Sequence, residues 1–280
     1  MGVGQMEISS FEDAGAVAAA IEVVETGGIV GARFGTVFGL IVDGSHVGVA
    51  DEIMHVKGAA RGHKPLGVCT RPGRLLELVD VGAFAPDARR LAEAPWFAEQ
   101  LAAMVAVRAP ASPGSGIPDH LHSDVDGRRW VQVFDPLRMP GTSTLMTAMW
   151  DSGIEWVAAT SMNESGRTEI VDPGAATEFA ERHGLPILFE AAFEHAASGS
   201  LPILELGPAG IRLDRHGIIA LAELESATGE HIDAASAIPA HFPPMAVPPG
   251  LLEGLSPNEA TAELLAMLYP GPPAVSPGGP

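Results

Sequence analysis

Apolar and polar positions follow two spacings along the chain, one typical of amphipathic helices and one typical of buried strands. Ser10 can cap a helix with Asp13 at the capping-box position, and Gly27-Gly28 would end it. The short apolar runs Ile29 to Phe34 and Pro65 to Cys69 indicate strands buried on both faces. Because such runs alternate with helical segments, the pattern predicts an α/β fold in which helices cover a largely parallel or mixed sheet.

The remaining elements are predicted from the same spacings. Further helices are expected at about 46–56, 75–79, 88–100, 142–150 and 174–183. Further strands are expected at about 130–134, 156–159, 186–189 and 203–206. Residues 101–107 could continue a helix or form a strand, and 109–129, rich in Pro, Gly, Ser and Asp, predicts a long loop or flap.

The character of the chain changes after about Leu224. No Lys or Arg follows Arg215, and prolines are frequent at 238–250 and 270–280. Between these runs, Ser256-Pro257-Asn258-Glu259 has the cap, first-turn proline and glutamate of a helix start. The sequence therefore predicts a domain at 10–224 and a Pro-rich tail at 225–280 with one short helix at about 257–268, which could dimerise the protein or bind a partner.

The charge of the chain restricts its ligands. The net charge is -19, from 35 acidic and 16 basic residues among 280. Such a charge repels polyanions and argues against direct nucleic-acid binding, but it is compatible with a small anion in a local pocket. The only two lysines, Lys57 and Lys64, lie in one short loop, which makes that loop the first place to look for an anion site.

Location is predicted from what the sequence lacks. The chain has no run of eighteen apolar residues, so no membrane helix is expected. Residues 1–10 lack the basic and apolar regions of a signal peptide. The single cysteine, Cys69, excludes an internal disulfide and is expected to be a small buried residue. These features predict a cytoplasmic protein.

Three short segments carry groups suited to ligand binding. In Gly35-Thr36-Val37-Phe38-Gly39-Leu40, directly after a strand, backbone amides and the Thr36 hydroxyl could contact a ligand, or the segment could be a capped strand-to-helix turn. In the basic loop, 57–66, Lys57, Arg61 and Lys64 could hold phosphate or carboxylate oxygens. A solvated loop that offsets nearby acids is the alternative, and we favour the ligand interpretation because cations are scarce here.

The third segment follows the strand predicted at 156–159. Ser161, Asn163 and Ser165 lie in Thr160-Ser161-Met162-Asn163-Glu164-Ser165-Gly166, at the strand end where open α/β sheets bind ligands. An ordinary Asx or Ser/Thr turn would have the same composition.

Together the three segments resemble the YrdC-like family of threonylcarbamoyl-AMP synthases in order and spacing. The family's Thr-(Val/Ala)-(Tyr/Phe)-Gly-Leu is matched by 36–40, and its Ser-x-Asn-x-Ser-Gly is matched in full by 161–166. The family's Lys followed by Pro-Leu is matched by Lys57 and Pro65-Leu66, and its late Arg-x-Gly by Arg215-His216-Gly217. The resemblance spans roughly 11–224 and implies an open twisted mixed sheet.

The resemblance also implies an activity. Family members bind ATP with Mg2+, bicarbonate and L-threonine, form threonylcarbamoyl-AMP and release pyrophosphate, and the product feeds the t6A modification of tRNA. By analogy Lys57 and Arg61 would be catalytic. Nucleotide and substrates would be held by the other candidate polar residues, namely Thr36, Lys64, Ser161, Asn163, Ser165 and Arg215. No tightly bound cofactor is implied.

Several positions depart from the family pattern and keep other functions open. Arg33 and Phe34 replace the family's Pro and first Thr, Phe134 stands where the family has an arginine, with Arg138 the nearest substitute, and Arg61 is four residues from Lys57. These changes are compatible with a non-catalytic nucleotide-binding or partner-binding paralogue, or with carbamoyl transfer to a different acceptor.

A metal site is not predicted. His120 and His122 with Asp119 and Asp124 could suggest zinc, but histidines beside acids in a loop are usually solvated, and no further ligand set is evident.

Overall fold

A computed structural model describes residues 6–58, 65–190 and 198–269. Its strands are β1 (Glu7–Ser10), β2 (Val30–Phe34), β3 (Val37–Asp43), β4 (Gly67–Cys69), β5 (Ala106–Pro110), β6 (Ser123–Val125), β7 (Arg128–Phe134), β8 (Val157–Ser161), β9 (Ile187–Glu190), β10 (Ile203–Gly207) and β11 (Gly210–Arg215). Its α-helices are α1 (Ala14–Glu25), α2 (Val49–Lys57), α3 (Pro72–Leu78), α4 (Pro86–Ala92), α5 (Pro95–Glu99), α6 (Thr142–Ser152), α7 (Pro173–Arg182), α8 (Leu221–Thr228) and α9 (Pro257–Leu268).

The strands form one mixed sheet. Their order is β1-β9-β2-β3-β8-β4-β7-β5-β10-β11, and β6 pairs with β7 beside this path. The pairs β2/β3, β3/β8, β4/β8, β5/β7 and β10/β11 are antiparallel, whereas β1/β9, β2/β9, β4/β7 and β5/β10 are parallel. The predicted α/β fold with an open mixed sheet is confirmed.

Successive side chains along the strands belong alternately to two hydrophobic cores, one on each face of the sheet. On one face, α1 and α6 pack through residues such as Val17 and Met146 against Ile41 and Val157. On the other face, Phe38, Leu40 and their neighbours pack against the remaining helices. This alternation is the period of two expected for strands between two helical layers. Cys69 lies in the first of these cores, and burial raises the pKa of its thiol.

Local chemistry explains where the predicted elements shift. Asp13, not Ser10, is the N-cap of α1, because its carboxylate accepts from the amides of Gly15 and Ala16. The helix expected at 88–100 is two helices, since Pro95 cannot donate within a continuing helix. Residues 101–103 form a 3-10 turn before β5 begins, and the expected flap at 109–129 contains β6.

The Gly35-Thr36 segment is a hairpin turn rather than a strand-to-helix turn. Phe34 pairs with Val37, so β2 continues directly into β3. Gly35 adopts φ 53°, a left-handed conformation that favours glycine at this tight connection.

The C-terminal part packs against the sheet through α9. Ser256 and Glu259 form the reciprocal capping box that the sequence predicts. Leu264 and Leu268 are buried in the core that contains α8. The boundary at 224 stays a prediction, and the start and end of the chain, 1–5 and 270–280, lie outside the described residues. In the described part of the chain, no helix is long and apolar enough to cross a membrane.

Candidate functional site

Lys57, the last residue of α2, is buried with 3% of its surface exposed. Its ammonium donates to the backbone oxygen of Ser161 and, at 2.9 Å, to Asn163 Oδ1. A buried ammonium is stable only with such acceptors, because water no longer solvates it. The basic loop is therefore bound, through its first residue, to the segment at 160–166.

Asn163 connects the rest of this site. Its Oδ1 also accepts from Ser161 Oγ at 2.6 Å, and its Nδ2 donates to the Arg167 oxygen at 2.6 Å. The Ser165 amide donates to the Lys57 oxygen at 2.9 Å. The structure thus brings Lys57, Ser161, Asn163 and Ser165 together, and we call these four residues the polar corner.

Thr36 has a different environment. Its hydroxyl is buried and donates to the Gly199 oxygen at 2.6 Å, and the Gly199 amide donates back to the Thr36 oxygen at 3.2 Å. The hydroxyl predicted to contact a ligand therefore holds the hairpin turn to the segment before β10.

Arg215 ends β11 and donates through Nη2 to the Leu201 oxygen at 2.9 Å. Burial lowers the pKa of this guanidinium, and nearby Glu169 and Asp214 act in the opposite direction. Within the described residues its Nε is buried without a hydrogen-bond partner. A group of this kind can donate to a ligand at no cost in existing hydrogen bonds.

Glu169 was not found by sequence reasoning, because it belongs to no motif. Burial acts to raise its pKa, but hydrogen bonds from the backbone, from His241 and from Ser200 hold that pKa below its ordinary value. His241 Nδ1 lies 2.5 Å from Glu169 Oε2. A residue of the Pro-rich tail thus supports a carboxylate whose charge acts on Arg215.

Ser161, Ser200 and Arg215 line a cleft with an empty volume of about 690 Å3, part of it open to solvent. Its polar lining comprises Gln132, Thr160, Ser161, Ser200 and Arg215. Its apolar and small lining comprises Phe34, Val37, Gly39, Pro65, Gly67, Ala106, Phe134, Met139, Ala159 and Leu201. Phe34, Met139 and Ala159 belong to the core of α1 and α6, so the cleft opens on that face of the sheet.

Phe34 and Phe134 form an aromatic pair in this cleft. Their ring centroids are 6.0 Å apart with an interplanar angle of 63°, the edge-to-face geometry that aromatic quadrupoles favour. By contrast, Arg33 donates from Nε to the Gly35 oxygen at 3.0 Å and lies over the Phe38 ring. Phe34 therefore forms part of the cleft wall, whereas Arg33 stabilises the hairpin turn next to it.

Other predicted groups are placed as follows. Arg61 and Lys64 lie outside the described residues. Arg138, the nearest cation to Phe134 in the sequence, is exposed and is not part of the cleft lining. Among the described residues no group of three or more His, Cys, Asp or Glu could hold a metal, and Asp119 instead pairs with Arg129 at 2.6 Å.

Several solved structures have a fold similar to that of this chain. A Sua5 variant from P. abyssi has a TM-score of 0.63 and 18% identity, covering 81% of this chain and 62% of that one. P. abyssi Sua5 complexed with L-threonine has a TM-score of 0.58 and 19% identity, covering 82% of this chain and 64% of that one. E. coli YciO has a TM-score of 0.59 and 13% identity, covering 76% of this chain and 97% of that one.

Full-length HypF in its phosphate- and nucleotide-bound form gives a TM-score of 0.53 and 17% identity, covering 72% of this chain and 29% of that one. No family model and no curated protein sequence matches. This chain therefore has the YrdC-like fold, as its motifs predict. It spans less than two thirds of the length of the Sua5 chains.

Proposed function

We propose that this chain is a YrdC-type synthase that makes a carbamoyl-adenylate from ATP, bicarbonate and a small amine. The amine and bicarbonate give a carbamate and water. A carbamate oxygen then attacks the α-phosphorus of ATP, and pyrophosphate leaves with the electrons of the broken P–O bond. With L-threonine the product would be threonylcarbamoyl-AMP, the intermediate used for t6A in tRNA.

The observation that carries this proposal is the polar corner beside a cleft on a YrdC-like fold. Lys57 is held by Ser161 and Asn163, so α2 and the end of β8 are fixed relative to each other. The adjoining loop carries Arg61 and Lys64, which we assign to phosphate and carbonate oxygens. The chain would act by positioning and charge neutralisation, with Mg2+ entering as the ATP complex.

The experiment is to incubate the protein with ATP, Mg2+, bicarbonate and L-threonine and to measure pyrophosphate and the adenylate by mass. Arg61→Met should abolish product. Arg182→Met is the matched control, since Arg182 is an exposed cation 3.7 Å from Glu164, and this variant should retain activity. Equal turnover by the Arg61 and Arg182 variants would remove the role given to Arg61.

A non-catalytic nucleotide-binding protein is the second candidate, favoured by the aromatic pair where the resemblance implies Thr and Arg. It requires ATP binding, measured by calorimetry, without pyrophosphate release for any amine tested. Detection of a carbamoyl-adenylate would exclude it.

A further inference from the structure

We infer that the amine used at this site is an amphipathic one, an α-amino acid with an apolar side chain. This inference rests on the proposed function and names the substrate class for the same cleft. The observation behind it is the construction of the apolar part of the cleft, namely the aromatic pair with Val37, Met139 and Leu201.

The sheet is shaped to receive the two rings. A Cβ built on Gly39 would lie 2.7 Å from Phe34 Cδ2, and one built on Gly67 would lie 3.1 Å from Phe134 Cε1. The rings thus lie against strand backbone at two positions where a side chain would displace them. Both rings are held by the sheet beneath them, so the apolar surface is preorganised for a ligand.

The polar part of the lining suits the other end of such a ligand. Arg215 and Ser200 both line the cleft, and Arg215 Nε is buried without a partner among the described residues. A carboxylate would pair with this guanidinium, although Glu169 and Asp214 offset part of its charge. One cleft therefore offers a donor for a carboxylate and an apolar surface for a side chain.

The same surface suits the adenine of ATP less well. Adenine carries ring nitrogens and an exocyclic amine that need hydrogen bonds when buried, and Phe34, Val37 and Met139 offer none. The hydroxyl of L-threonine would meet the same difficulty. An aliphatic or aromatic side chain has no such groups, so its burial is favourable throughout.

The experiment compares L-leucine, L-methionine and L-phenylalanine with L-threonine and L-serine. We expect kcat/KM for pyrophosphate release to be roughly ten-fold or more higher for the best apolar amino acid than for L-threonine. Calorimetry with α,β-methylene-ATP present should show that the apolar amino acids bind with a negative heat-capacity change.

Two matched variants test whether the amine preference depends on the apolar part of the cleft. Val37→Thr keeps the shape of a cleft residue and adds a hydroxyl, so it should shift the preference toward L-threonine by several-fold. Val47→Thr makes the same change at a residue 81% exposed and should leave the preference unchanged. Because the change is nearly isosteric, Val37→Thr is expected to fold.

The outcomes separate the two proposals. Preference for L-threonine in the unmodified protein would overturn the inference and leave the synthase intact. A rise in KM for ATP in Val37→Thr, with amine preference unchanged, would show that the base occupies the apolar surface and would also overturn it. Binding of apolar amino acids without turnover would support the preference of the cleft for an apolar side chain but contradict the synthase, and absence of both would overturn both.

Discussion

The polar corner reaches the cleft through Ser161 and the aromatic pair lines it, yet the two are built in opposite ways. In the corner, Lys57, Ser161 and Asn163 are fixed by directional hydrogen bonds between groups that cannot be buried alone. The pair of Phe34 and Phe134 is fixed by packing over two glycines. The corner keeps the motif of the resembling family and the pair departs from it. The comparison shows that a fold can retain the polar geometry of a motif while the apolar surface next to it departs from the family pattern.

Lys57→Met should have the largest effect on this comparison. It removes the donor to the Ser161 oxygen and one of the donors to Asn163 Oδ1, so we expect a loss of about 2–3 kcal/mol in the free energy of unfolding. Urea denaturation measures that change, and nucleotide affinity should fall with it. Arg182→Met, at an exposed ion pair, should stay within about 0.5 kcal/mol. A matching small change for Lys57→Met would show that the corner contributes little to stability.

A double-mutant cycle tests whether the aromatic pair acts as a unit. Phe34→Ala should cost about 3 kcal/mol, because the ring is 6% exposed and leaves a cavity. Its coupling with Phe134→Ala should be about 0.5–1.5 kcal/mol, the range for edge-to-face rings. The cycle is measured by urea denaturation. Additive single effects would mean that the two rings are merely neighbours.

Gly39→Ala tests the surface beneath the pair. The new Cβ would lie 2.7 Å from Phe34 Cδ2 and 3.2 Å from the Thr160 oxygen, so a loss of about 1–3 kcal/mol is expected. Gly73→Ala is the matched change, with nothing within 4 Å in α3, and should stabilise by about 0.5–1 kcal/mol. Thermal denaturation of both variants gives the comparison. The same sign for both would contradict the close contact inferred at Gly39.

Asp135 adds a pH dependence next to Phe134. Burial raises the pKa of this carboxyl to about 6 from its ordinary 3.8, against opposing effects of the Leu137 amide and Arg138. The folded state then binds more protons than the unfolded state between those values, so the free energy of unfolding should fall as pH rises from 3.8 to about 6 and level off above.

Asp135→Asn should remove that fall, which urea denaturation at several pH values from 4 to 8 can follow. The difference between the two proteins isolates Asp135 from the general repulsion among the 35 acidic residues. A difference that does not change with pH would show that Asp135 titrates alike in both states.

Elements marked by a capping box or a continuous apolar run were predicted from the sequence. Elements that depend on strand pairing were not. The α9 capping box and the apolar runs of β4 and β9 depend on neighbouring residues, so the sequence indicates them directly. The strand-to-helix turn considered for Gly35-Thr36 was wrong, because a short Gly-Thr segment is compatible with either turn and only the pairing of β3 with its neighbours decides between them. Pro95 could have located the break between α4 and α5.

By itself the sequence determined the class of fold and the residues of the polar corner, because motif spacing and hydrophobic period are local properties of the chain. Only the tertiary structure decided that Thr36 bonds to Gly199, that Glu169 lies within hydrogen-bond distance of His241, and that two phenylalanines a hundred positions apart share one cleft. These contacts join distant segments through strand order. Strand order follows from burying both faces of the sheet at once, a condition on the whole chain that no short segment carries.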